Sequence, residues 1–415
     1  MSSQTTKKGD YNVRKLFLLR GAPGVGKSSF IEKLNLHNYT LSLDNFRLYL
    51  QSPILTETGE LKINQTFGSR DALHMLFHVV ENRMKNGDSI IIDATHSKVS
   101  DINSYKMLAD KYRYDIIIID FSSVPLEIAL ERNAKRTPSY KIVPNVYIEK
   151  VYRRLKTEKI PDSIQVIPFE KAEEVFFPKP IDLSYVRKIH HIGDIHGCFS
   201  VLKRYLKHGL HHNELYIFTG DYIDRGIENA EVIEFLLSIM DYPNVILLEG
   251  NHEKHLWKWA NGERANSIVF EHDTKKELEQ YGINRKEVRR FCRKLKPYFH
   301  YTYYEKEVLV THGGLPVIPE NIQFISAEQL IHGVGDAKFP IDEVFDKNLK
   351  HSNQYQVHGH RNFGLKPYQP GSHSFNLEGG IDSGGFLRVV TLTPDGFRSN
   401  QIQNEVYQEK RKKIG

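Results

Sequence analysis

The sequence predicts an α/β protein made of two α/β domains. Two observations lead to this expectation. At 415 residues, the chain is longer than one hydrophobic core normally supports. Short apolar runs also alternate with stretches of helical period on both sides of an interruption near residues 171–187, a pattern typical of helices packed on a sheet.

In residues 1–170, apolar runs of strand length are separated by segments with helical period. The predicted strands are Lys15–Arg20, Ser89–Asp93, Tyr114–Phe121 and Ile164–Phe169. The predicted helices are Lys27–Leu34, Ser69–Lys85, Ser100–Tyr112 and Leu126–Lys135. Because the strands are apolar along most of their length, we expect a parallel sheet with helices on both faces.

Residues 171–187 contain the run Phe-Phe-Pro-Lys-Pro and are predicted to be a linker. A second domain is expected in residues 188–400, followed by a basic tail at 401–415. Its strands are predicted at Lys188–Ile192, Leu215–Thr219, Val245–Leu248, Val308–Thr311, Gln354–Val357 and Phe386–Leu392. Its helices are predicted at Val201–His208 and Glu231–Met240, with a charged helical insert at roughly 271–296.

Composition limits the compartment and the partners. The chain has only two cysteines, far apart in sequence, and therefore no disulfide framework. Its first thirteen residues are polar, and no apolar run is long enough to span a bilayer, so we expect a cytoplasmic protein without a membrane partner. The net charge of +6 is concentrated in residues 285–296 and in the tail. These cations could form a solvated surface or contact a phosphate-rich partner. The oligomeric state stays open.

A glycine-rich motif follows the first predicted strand. Gly21, Gly24, Gly26, Lys27 and Ser28 fit the pattern G-x-x-x-x-G-K-[ST]. Glycines let such a loop direct its N–H groups at phosphates, the lysine adds a positive charge, and the serine hydroxyl suits Mg²⁺. A strand before the loop and a helix after it are what this motif requires. The motif predicts that a nucleoside triphosphate such as ATP binds here with Mg²⁺.

Further charged residues could complete a phosphoryl-transfer site. Asp44 could accept a proton from an attacking hydroxyl, and Arg47 could hold a phosphate of the acceptor. The same two residues could instead be a helix cap and its ion-pair partner. Arg132 and Arg136 lie at i, i+4 and could bind the transferring phosphoryl group, or form a solvated basic turn. Asp93 could contact the metal or hold the edge of the sheet.

These residues, together with Asp-Ala-Thr at 93–95, resemble the 5′-hydroxyl polynucleotide kinase family. The resemblance implies that Asp44 is the general base and that Arg47 binds the 3′ phosphate of the acceptor. It also implies that Arg132 and Arg136 are lid residues on the donor phosphates.

Five motifs rich in glycine, histidine and carboxylates mark the second domain. They are Gly193-Asp194-Ile195-His196-Gly197, Gly220-Asp221-Tyr222-Ile223-Asp224-Arg225-Gly226, Gly250-Asn251-His252-Glu253, His312-Gly313-Gly314 and Gly359-His360. The first three each follow a predicted strand, so their side chains should meet at the carboxyl ends of the sheet. Oxygen and imidazole ligands with one shared carboxylate suit a pair of divalent ions.

The motifs suggest which residues bind each ion, which one binds phosphate and which one transfers a proton. The predicted ligands are Asp194, His196 and Asp221 for one ion, and Asp221, Asn251, His312 and His360 for the other. Asp221 would bridge the two ions. His358 is a second candidate beside His360, although the Gly-His pair favours His360. Arg225 is expected to bind phosphate oxygens, and His252 to protonate the leaving oxygen while Asp224 orients it.

The five motifs resemble the metallophosphoesterase superfamily, in particular the phosphoprotein-phosphatase-like branch with Asp-Arg-Gly and Asn-His-Glu. The implied fold is an α/β metallophosphoesterase sandwich with two divalent ions, of which Mn²⁺ is the expected one. Near the end of the domain, Ile381-Asp382-Ser383-Gly384-Gly385 resembles the Asp-Thr-Gly segment of the same domain in bacterial RNA-repair kinase-phosphatases. That likeness implies a substrate-binding role for Asp382.

In this order, the two domains resemble bacterial and phage polynucleotide kinase-phosphatase without a ligase module. The implied function is the healing of RNA ends: phosphorylation of a 5′ hydroxyl, and removal of a 3′ phosphate or a 2′,3′-cyclic phosphate. A separate RNA ligase would then act on the product. The alternative is a nucleoside or metabolite kinase fused to a dinucleoside-polyphosphate hydrolase or a protein phosphatase. A nucleic-acid-binding scaffold with inactive sites is disfavoured, because no site residue is missing.

Overall fold

The computed structural model describes residues 14–64, 69–336, 338–361 and 372–405. These residues form two compact units. One unit comprises Arg14–Pro178 together with Asn321–Ser326. The other comprises the described parts of 179–320 and 327–405. Among the described residues, no helix combines the length and the apolar character needed to cross a membrane.

The first unit contains a five-stranded parallel sheet in the order β2-β5-β1-β6-β7. Its strands are β1 (Lys15–Arg20), β2 (Thr40–Ser42), β5 (Ile90–Asp93), β6 (Asp115–Asp120) and β7 (Gln165–Pro168). A separate antiparallel pair is formed by β3 (Ile54–Leu55) and β4 (Leu61–Lys62). The predicted parallel sheet is confirmed, and the ends of the four predicted strands differ by at most one residue.

Helices cover both faces of this sheet. They are α1 (Lys27–Lys33), α2 (Leu43–Leu50), α3 (Ser69–Lys85), α4 (Val99–Asn103), α5 (Lys106–Tyr112), α6 (Leu126–Ala134), α7 (Asn145–Thr157) and α8 (Ala172–Phe176). Successive residues of β1 point to opposite faces, so that Phe17 and Leu19 pack in one core while Leu16 and Leu18 pack in the other. The helix predicted over Ser100–Tyr112 is in fact two helices, α4 and α5.

The second unit is a sandwich of two five-stranded sheets, with orders β11-β10-β9-β16-β17 and β15-β14-β13-β12-β8. The first contains β9 (Lys188–Ile192), β10 (Glu214–Phe218), β11 (Val245–Leu247), β16 (Phe386–Thr393) and β17 (Gly396–Gln403). The second contains β8 (Ile181–Asp182), β12 (Tyr298–Tyr303), β13 (Lys306–Thr311), β14 (Gln354–His358) and β15 (Ser374–Asn376). Apolar residues of both sheets, such as Ile217 and Val310, form the core between them.

A second core lies on the other face of the β9–β10–β11 sheet. It is covered by α9 (Phe199–Tyr205), α10 (Asn229–Ile239), α11 (Glu253–Ala260), α12 (Lys275–Gln280) and α13 (Arg285–Lys294). Two further helices are α14 (Ala327–His332) and α15 (Ile341–Lys347). The charged insert near 271–296 therefore folds as a π-helical turn at Phe270–Thr274 followed by α12 and α13.

The stretch expected to be a linker, 171–187, contains regular structure. Its first part forms α8, whose Phe176 is fully buried in a core of the first unit. Its later part contains β8, which pairs with β12. Of the expected tail, residues 401–403 complete β17, and residues 406–415 lie outside the described chain.

A short segment from late in the sequence packs into the first unit. Phe324, only 5% exposed, lies 4.6 Å from the Tyr39 ring and 6.0 Å from the Phe176 ring, measured between centroids. The Gln323 side chain donates a hydrogen bond to the Ser89 hydroxyl. The core around Phe17 and Phe176 is thus completed by a residue that follows β13 by thirteen positions in the chain.

We therefore expect Phe324→Ala to destabilise the first unit selectively. Loss of a buried phenylalanine side chain costs about 3–5 kcal/mol, because apolar burial is lost and a cavity remains. In differential scanning calorimetry, the transition of the first unit should move to lower temperature while that of the second stays in place. Tyr304→Ala, at a residue 56% exposed, is the matched control. An unmoved first transition would contradict this packing role.

Candidate functional site

The glycine-rich loop lies between β1 and α1. Gly24 and Gly26 have φ values of +89° and +102°, which disfavour residues with a side chain. A Cβ atom on Gly24 would lie 2.1 Å from the carbonyl oxygen of Ala129 on α6. The loop therefore needs glycine both for its conformation and for its close approach to α6. Gly21 leads into this turn, with its N–H bonded to the Thr95 carbonyl oxygen.

The predicted phosphate and Mg²⁺ contacts lie together at the end of this loop. The Lys27 ammonium is buried and donates to the carbonyl oxygens of Gly21 and Ala22 at 2.9 and 3.1 Å. Burial lowers the pKa of Lys27, an effect that Asp93 opposes. The Ser28 hydroxyl donates to the Asp93 carboxylate at 2.7 Å. A hydroxyl and a carboxylate in contact are the hard oxygen ligands that Mg²⁺ prefers.

The acceptor and lid residues line the same cleft as this loop. The cleft has a volume of about 1550 Å³ and includes Asp44, Arg47, Arg132 and Arg136 in its walls. Arg47 donates to the Asp44 carboxylate at 2.7 Å, so the ion pair of the structural alternative is present, whereas the helix cap is Ser42 and not Asp44. That pairing does not remove them from the cleft.

The two lid arginines are both bonded to backbone carbonyl oxygens. Arg132 donates to Val25 of the glycine-rich loop at 3.1 Å, and Arg136 donates to Lys141 at 2.9 Å. Both side chains line the cleft, so the interpretation as a merely solvated basic turn is disfavoured. Arg132 in particular is held next to the loop that would bind phosphates.

In the second unit, side chains from several strand ends converge on one buried cluster. Three groups of potential metal ligands have their ligand atoms within 4.8 Å of one another. These groups are Asp194, His196 and Glu378; His196, Asp221 and His252; and Asp221, His312 and His360. The cluster stands where β9, β10, β13 and β14 end, as the motif positions predict.

Asp221 is at the centre of this cluster. One carboxylate oxygen, Oδ2, lies 3.8 Å from Nε2 of His196 and 3.2 Å from Nε2 of His312. The other, Oδ1, accepts the backbone N–H of His252 at 3.1 Å. Asp221 thus faces both groups of imidazole ligands, which is the placement expected of a carboxylate shared by two ions.

Hydrogen bonds orient the imidazole rings toward Asp221. Nδ1 of His312 lies 2.9 Å from the carbonyl oxygen of Thr219, and Nδ1 of His196 lies 3.2 Å from that of Ile223. Because a carbonyl oxygen only accepts, each Nδ1 carries a proton, and each ring directs its Nε2 toward the cluster. The Asn251 side-chain oxygen lies 3.3 Å from Nε2 of His312, so it is placed to share that ion.

The two candidate histidines after β14 have different surroundings. The His358 ring is fully buried, with Nδ1 bonded to the Gly359 carbonyl oxygen and Nε2 3.0 Å from the Asp342 carboxylate. The His360 ring lies 5.1 Å from that of His312, centroid to centroid. The geometry therefore favours His360 as the ligand, while His358 anchors the end of the strand.

Burial and neighbouring charges shift the pKa values of several residues in this cluster. Burial opposes ionisation of Asp221, but the neighbouring His312 and His252 hold the pKa of Asp221 well below its ordinary value. Burial likewise disfavours a charge on His312, yet Asp221 and Asp194 raise the pKa of His312 to about 10. Burial, with His312 close by, lowers the pKa of His360 to about 3. Carboxylates packed this closely need cations for compensation.

The predicted proton donor and its orienting carboxylate are in direct contact. Nδ1 of His252 donates to the Asp224 carboxylate at 2.6 Å, and the Thr274 hydroxyl donates to the same carboxylate at 2.5 Å. Asp224 is fully buried, and its bond to Thr274 fixes it from the π-helical turn. Burial disfavours a charge on His252, but Asp221 and Asp224 raise its pKa. Nε2 of His252 remains directed toward Asp221, at 3.9 Å.

Arg225 lies beside His196, with NH1 3.4 Å from Nε2 of that ring. Asp382 is placed next to Arg225, and its carboxylate lies 3.9 Å from NH1. A negative carboxylate is a poor direct contact for a phosphate oxygen. Asp382 is expected from the sequence to bind the substrate. Its position instead fits a residue that orients Arg225.

Glu378 is a site residue that the sequence analysis missed. Its carboxylate lies 3.8 Å from Nε2 of His196, and burial together with Asp194 raises its pKa to about 8. Asp194 has a raised pKa as well, chiefly through burial. The available signal was a carboxylate followed by Gly379 and Gly380, just after β15. That strand has only three residues, and the resemblance drew attention to Asp382 instead.

Glu253 belongs to a motif that was recognised, but no role was inferred for it. Its buried carboxylate accepts the backbone N–H groups of Asp221 and Gly250 at one oxygen, and that of Tyr222 at the other. The distances are 3.1, 2.7 and 2.9 Å. Glu253 thereby holds together the loops that carry Asp221 and Asn251.

The backbone of the cluster is strained. His196, Asp221, Asp224, Arg225 and His360 all have positive φ, between 42° and 72°. Residues other than glycine adopt this conformation at a cost, and such strain persists where the surroundings fix a functional geometry.

The donor set fits two divalent ions. The buried Asp194 Oδ1 has no hydrogen-bond partner in the described chain, and Nε2 of His196 and Nε2 of His312 both face the Asp221 carboxylate. One ion would be held by Asp194, His196, Asp221 and Glu378, and the other by Asp221, Asn251, His312 and His360. Divalent ions bound there supply Lewis acidity, which activates water for attack on phosphorus.

Part of the positive charge of the basic helix α13 is paired with acidic side chains. Arg285 pairs with Glu279, while Arg290 and Lys294 both pair with Asp241. Arg293 lies over the Trp257 ring at 5.4 Å. These contacts favour the interpretation as a structural surface rather than a nucleic-acid patch. The cluster at 410–413 lies outside the described residues.

Residues 187–381 match the family model of the calcineurin-like phosphoesterases. Residues 16–156 match the family model of an AAA domain. The chain thus carries a P-loop, kinase-like domain followed by a metallophosphoesterase domain.

Solved structures resemble only part of the chain. One is a protein provisionally assigned as a diadenosine tetraphosphatase (18% identity, TM-score 0.37, covering 54% of this chain and 96% of that one). Another is a serine/threonine phosphatase from Saccharomyces cerevisiae, similar to human phosphatase PP5 (18%, 0.39, 63% and 96%). A third is a cold-active protein-tyrosine phosphatase from a Shewanella species (17%, 0.34, 54% and 83%). At these TM-scores, the likenesses carry no argument about substrate.

The shared position of Asp221 leads to a prediction about metal content. Asp221→Ala removes a ligand from both ions, so the purified protein should hold neither and phosphoesterase activity should fall to background. Asn251→Ala removes one ligand from one ion. Its activity should fall roughly tenfold or more and recover in part with excess Mn²⁺.

The measurement is metal per chain by mass spectrometry, alongside hydrolysis of an aryl phosphate. Asp395→Ala, on an exposed turn, is the control. Equal metal content in Asp221→Ala and the unaltered protein would refute the bridging position.

Proposed function

We propose that this chain, a P-loop kinase-like domain joined to a metallophosphoesterase domain, heals broken RNA ends. Its kinase site would phosphorylate a 5′ hydroxyl, using ATP or another nucleoside triphosphate with Mg²⁺. Its phosphoesterase site would remove a 3′ phosphate, or open and remove a 2′,3′-cyclic phosphate, with two divalent ions that we take to be Mn²⁺. A separate RNA ligase would join the healed ends.

One observation carries the proposal: a single cleft contains the glycine-rich loop and the Asp44–Arg47 pair. Its volume of about 1550 Å³ exceeds the roughly 300–1,000 Å³ of a pocket for one small ligand. Donor phosphates at Lys27 and Ser28 would leave space for an acceptor beside Asp44. Arg47 supplies a cation beside the acceptor position. A nucleotide chain has a phosphate for that cation to bind, and a free nucleoside has none.

The residues of the cleft suggest how the transfer would proceed. Asp44, whose side chain is 45% exposed, can accept the proton of the attacking hydroxyl. Arg47 can exchange this carboxylate for a phosphate of the acceptor, since both partners are charged and accessible from the cleft. Lys27, Arg132 and Arg136 are positioned to neutralise charge on the transferred phosphoryl group.

In the phosphoesterase site, the chain supplies phosphate binding and proton transfer. Arg225 is 43% exposed and can contact phosphate oxygens. His252, held by Asp224, can give a proton to a departing ribose oxygen, which is too basic to leave unprotonated. One broken strand presents both kinds of end, and this gives a reason for the two sites to share a chain.

An RNA with a 5′-hydroxyl and a 2′,3′-cyclic phosphate end tests the proposal directly. With labelled ATP, Mg²⁺ and Mn²⁺, we expect label at the 5′ end and loss of phosphate at the other. Lys27→Ala should abolish only the labelling, and Asp221→Ala only the phosphate removal, because the sites lie in different units. A DNA of the same sequence measures the preference for RNA.

The contrary outcome is equally specific. If both RNA ends stay unchanged while a free nucleoside is phosphorylated or a dinucleoside polyphosphate is hydrolysed, the small-molecule alternative is correct. If a phosphoprotein is the only substrate dephosphorylated, the protein-phosphatase alternative is correct.

Replacing Arg47 distinguishes a polynucleotide acceptor from a small-molecule acceptor. Loss of a charge-assisted contact to phosphate costs about 1.5–3 kcal/mol, or roughly ten- to a hundredfold. Arg47→Ala should therefore raise the KM for an oligonucleotide or a 3′-phosphorylated nucleoside by that factor, with the KM for ATP unchanged. A bare nucleoside should be a poor acceptor for both proteins.

The control is Arg153→Ala, at an exposed arginine of α7 that pairs with Glu149. A fall in kcat at constant acceptor KM would instead mean that Arg47 serves only to orient Asp44. Efficient phosphorylation of a nucleoside without the 3′ phosphate would count against the RNA assignment.

A further inference from the structure

A buried arginine directly follows the candidate metal ligand His360. Arg361 is 1% exposed, and its guanidinium group donates hydrogen bonds to four backbone carbonyl oxygens. These belong to Gly313 (3.2 Å), His332 (3.5 Å), Val334 (2.6 Å) and Asp336. With four of its five N–H groups bonded to backbone carbonyl oxygens and almost no exposed surface, this guanidinium is poorly placed to bind a substrate phosphate.

Arg361 instead fixes residues 332–336 against the metal cluster. The contact is backbone to backbone, since a Cβ atom on Gly313 would lie 2.0 Å from the amide nitrogen of Gly333. Gly313 is the residue after the ligand His312. The segment 332–336 is thereby held next to the loops that carry His312 and His360.

His332 opens this segment and faces His360. The two ring centroids are 5.7 Å apart at an interplanar angle of 75°, close to the 5.1 Å between His312 and His360. His312 is fully buried and His360 partly buried, whereas the His332 side chain is 39% exposed. It therefore stands at the solvent side of the cluster, where a substrate would enter.

Among the described residues, Arg225 and His332 flank the cluster on different sides. Arg225 flanks the cluster at His196. At the His360 side, Arg361 is engaged with the backbone, and the partly exposed His332 imidazole contacts the His360 ring. We propose that His332 binds a phosphate oxygen of the substrate opposite Arg225, and that Arg361 is the positioning residue that holds it there.

The competing interpretation is a surface pair on α14. His332 lies 3.2 Å from the Glu328 carboxylate, and Glu328 is 44% exposed. An exposed pair of this kind stabilises a protein little and can give way to a phosphate. It also gives no reason for three hydrogen bonds from a buried arginine to the segment that carries His332.

The test compares the unaltered protein with His332→Ala and His332→Gln, all loaded with Mn²⁺. The KM for p-nitrophenyl phosphate and the Kd for inorganic phosphate, measured by calorimetry, should both rise about tenfold or more in His332→Ala. Metal content should stay unchanged. His332→Gln should recover part of the affinity, because its amide can still donate a hydrogen bond. The inference does not depend on RNA as the substrate, since an aryl phosphate reports on it.

Three comparisons make the result decisive. His351→Ala, at an exposed histidine of the same unit, should bind phosphate normally. Glu328→Gln should leave phosphate affinity unchanged or improve it, because it removes a competing acceptor. Arg361→Lys, if circular dichroism shows it folded, should weaken phosphate binding in the same direction as His332→Ala. Unchanged phosphate affinity in His332→Ala, or a loss of metal that matches its loss of activity, would overturn the proposal. Normal affinity in folded Arg361→Lys would overturn the positioning role.

Discussion

The phosphoesterase site depends on one buried carboxylate that binds neither metal nor substrate. Glu253 accepts three backbone N–H groups from the loops after β10 and β11. Those loops carry Asp221 and Asn251, and the first of them leads on to Asp224 and Arg225. A buried carboxylate is stable only when its oxygens are fully hydrogen-bonded, and here backbone amides satisfy it. The loops cannot separate without leaving that charge unsatisfied. The strained backbone at Asp221, with φ of 51°, can therefore persist in the folded chain.

The rest of the site is arranged by the same need to compensate buried charge. Asp194, Asp221 and Glu378 lie among four histidines in a largely buried cluster, where the carboxylates repel one another unless cations compensate them. Neutral groups outside the cluster orient several of the site residues: carbonyl oxygens hold His196 and His312, and the Thr274 hydroxyl holds Asp224. Close approach of backbones is the other requirement. A Cβ on Gly359 would lie 1.9 Å from the Asp194 carboxylate, and one on Gly250 would lie 2.3 Å from that of Asp221. The motif glycines are therefore as necessary to the site as the ligands.

Much of this could be predicted, and the failures have physical causes. Apolar strands such as β1 and β9 are visible because both faces are buried, and the ligands that follow them are then placed by topology. The edge strand β17 is largely exposed and polar, and so has no apolar signal. The helix α7 does carry one, with Ile148, Val151 and Leu155 at helical spacing, and was overlooked. The Glu-Gly-Gly run is a weak signal for Glu378 and no motif marks Arg361, because the roles of both residues depend on neighbours distant in sequence. Periodicity also cannot show that a segment such as 321–326 belongs to another unit.

That last segment has a consequence for how the protein is made. The aromatic core around Phe17, Tyr39 and Phe176 receives Phe324 only after the ribosome has passed residue 326. From Pro178, the end of the continuous part of the first unit, 148 residues (326 minus 178) must still be translated. At about 5–20 residues per second, this takes roughly 7–30 s. During that interval the nascent first unit leaves the Phe324 site of its core exposed. Nascent-chain chaperones would therefore encounter an aromatic surface that the finished protein conceals.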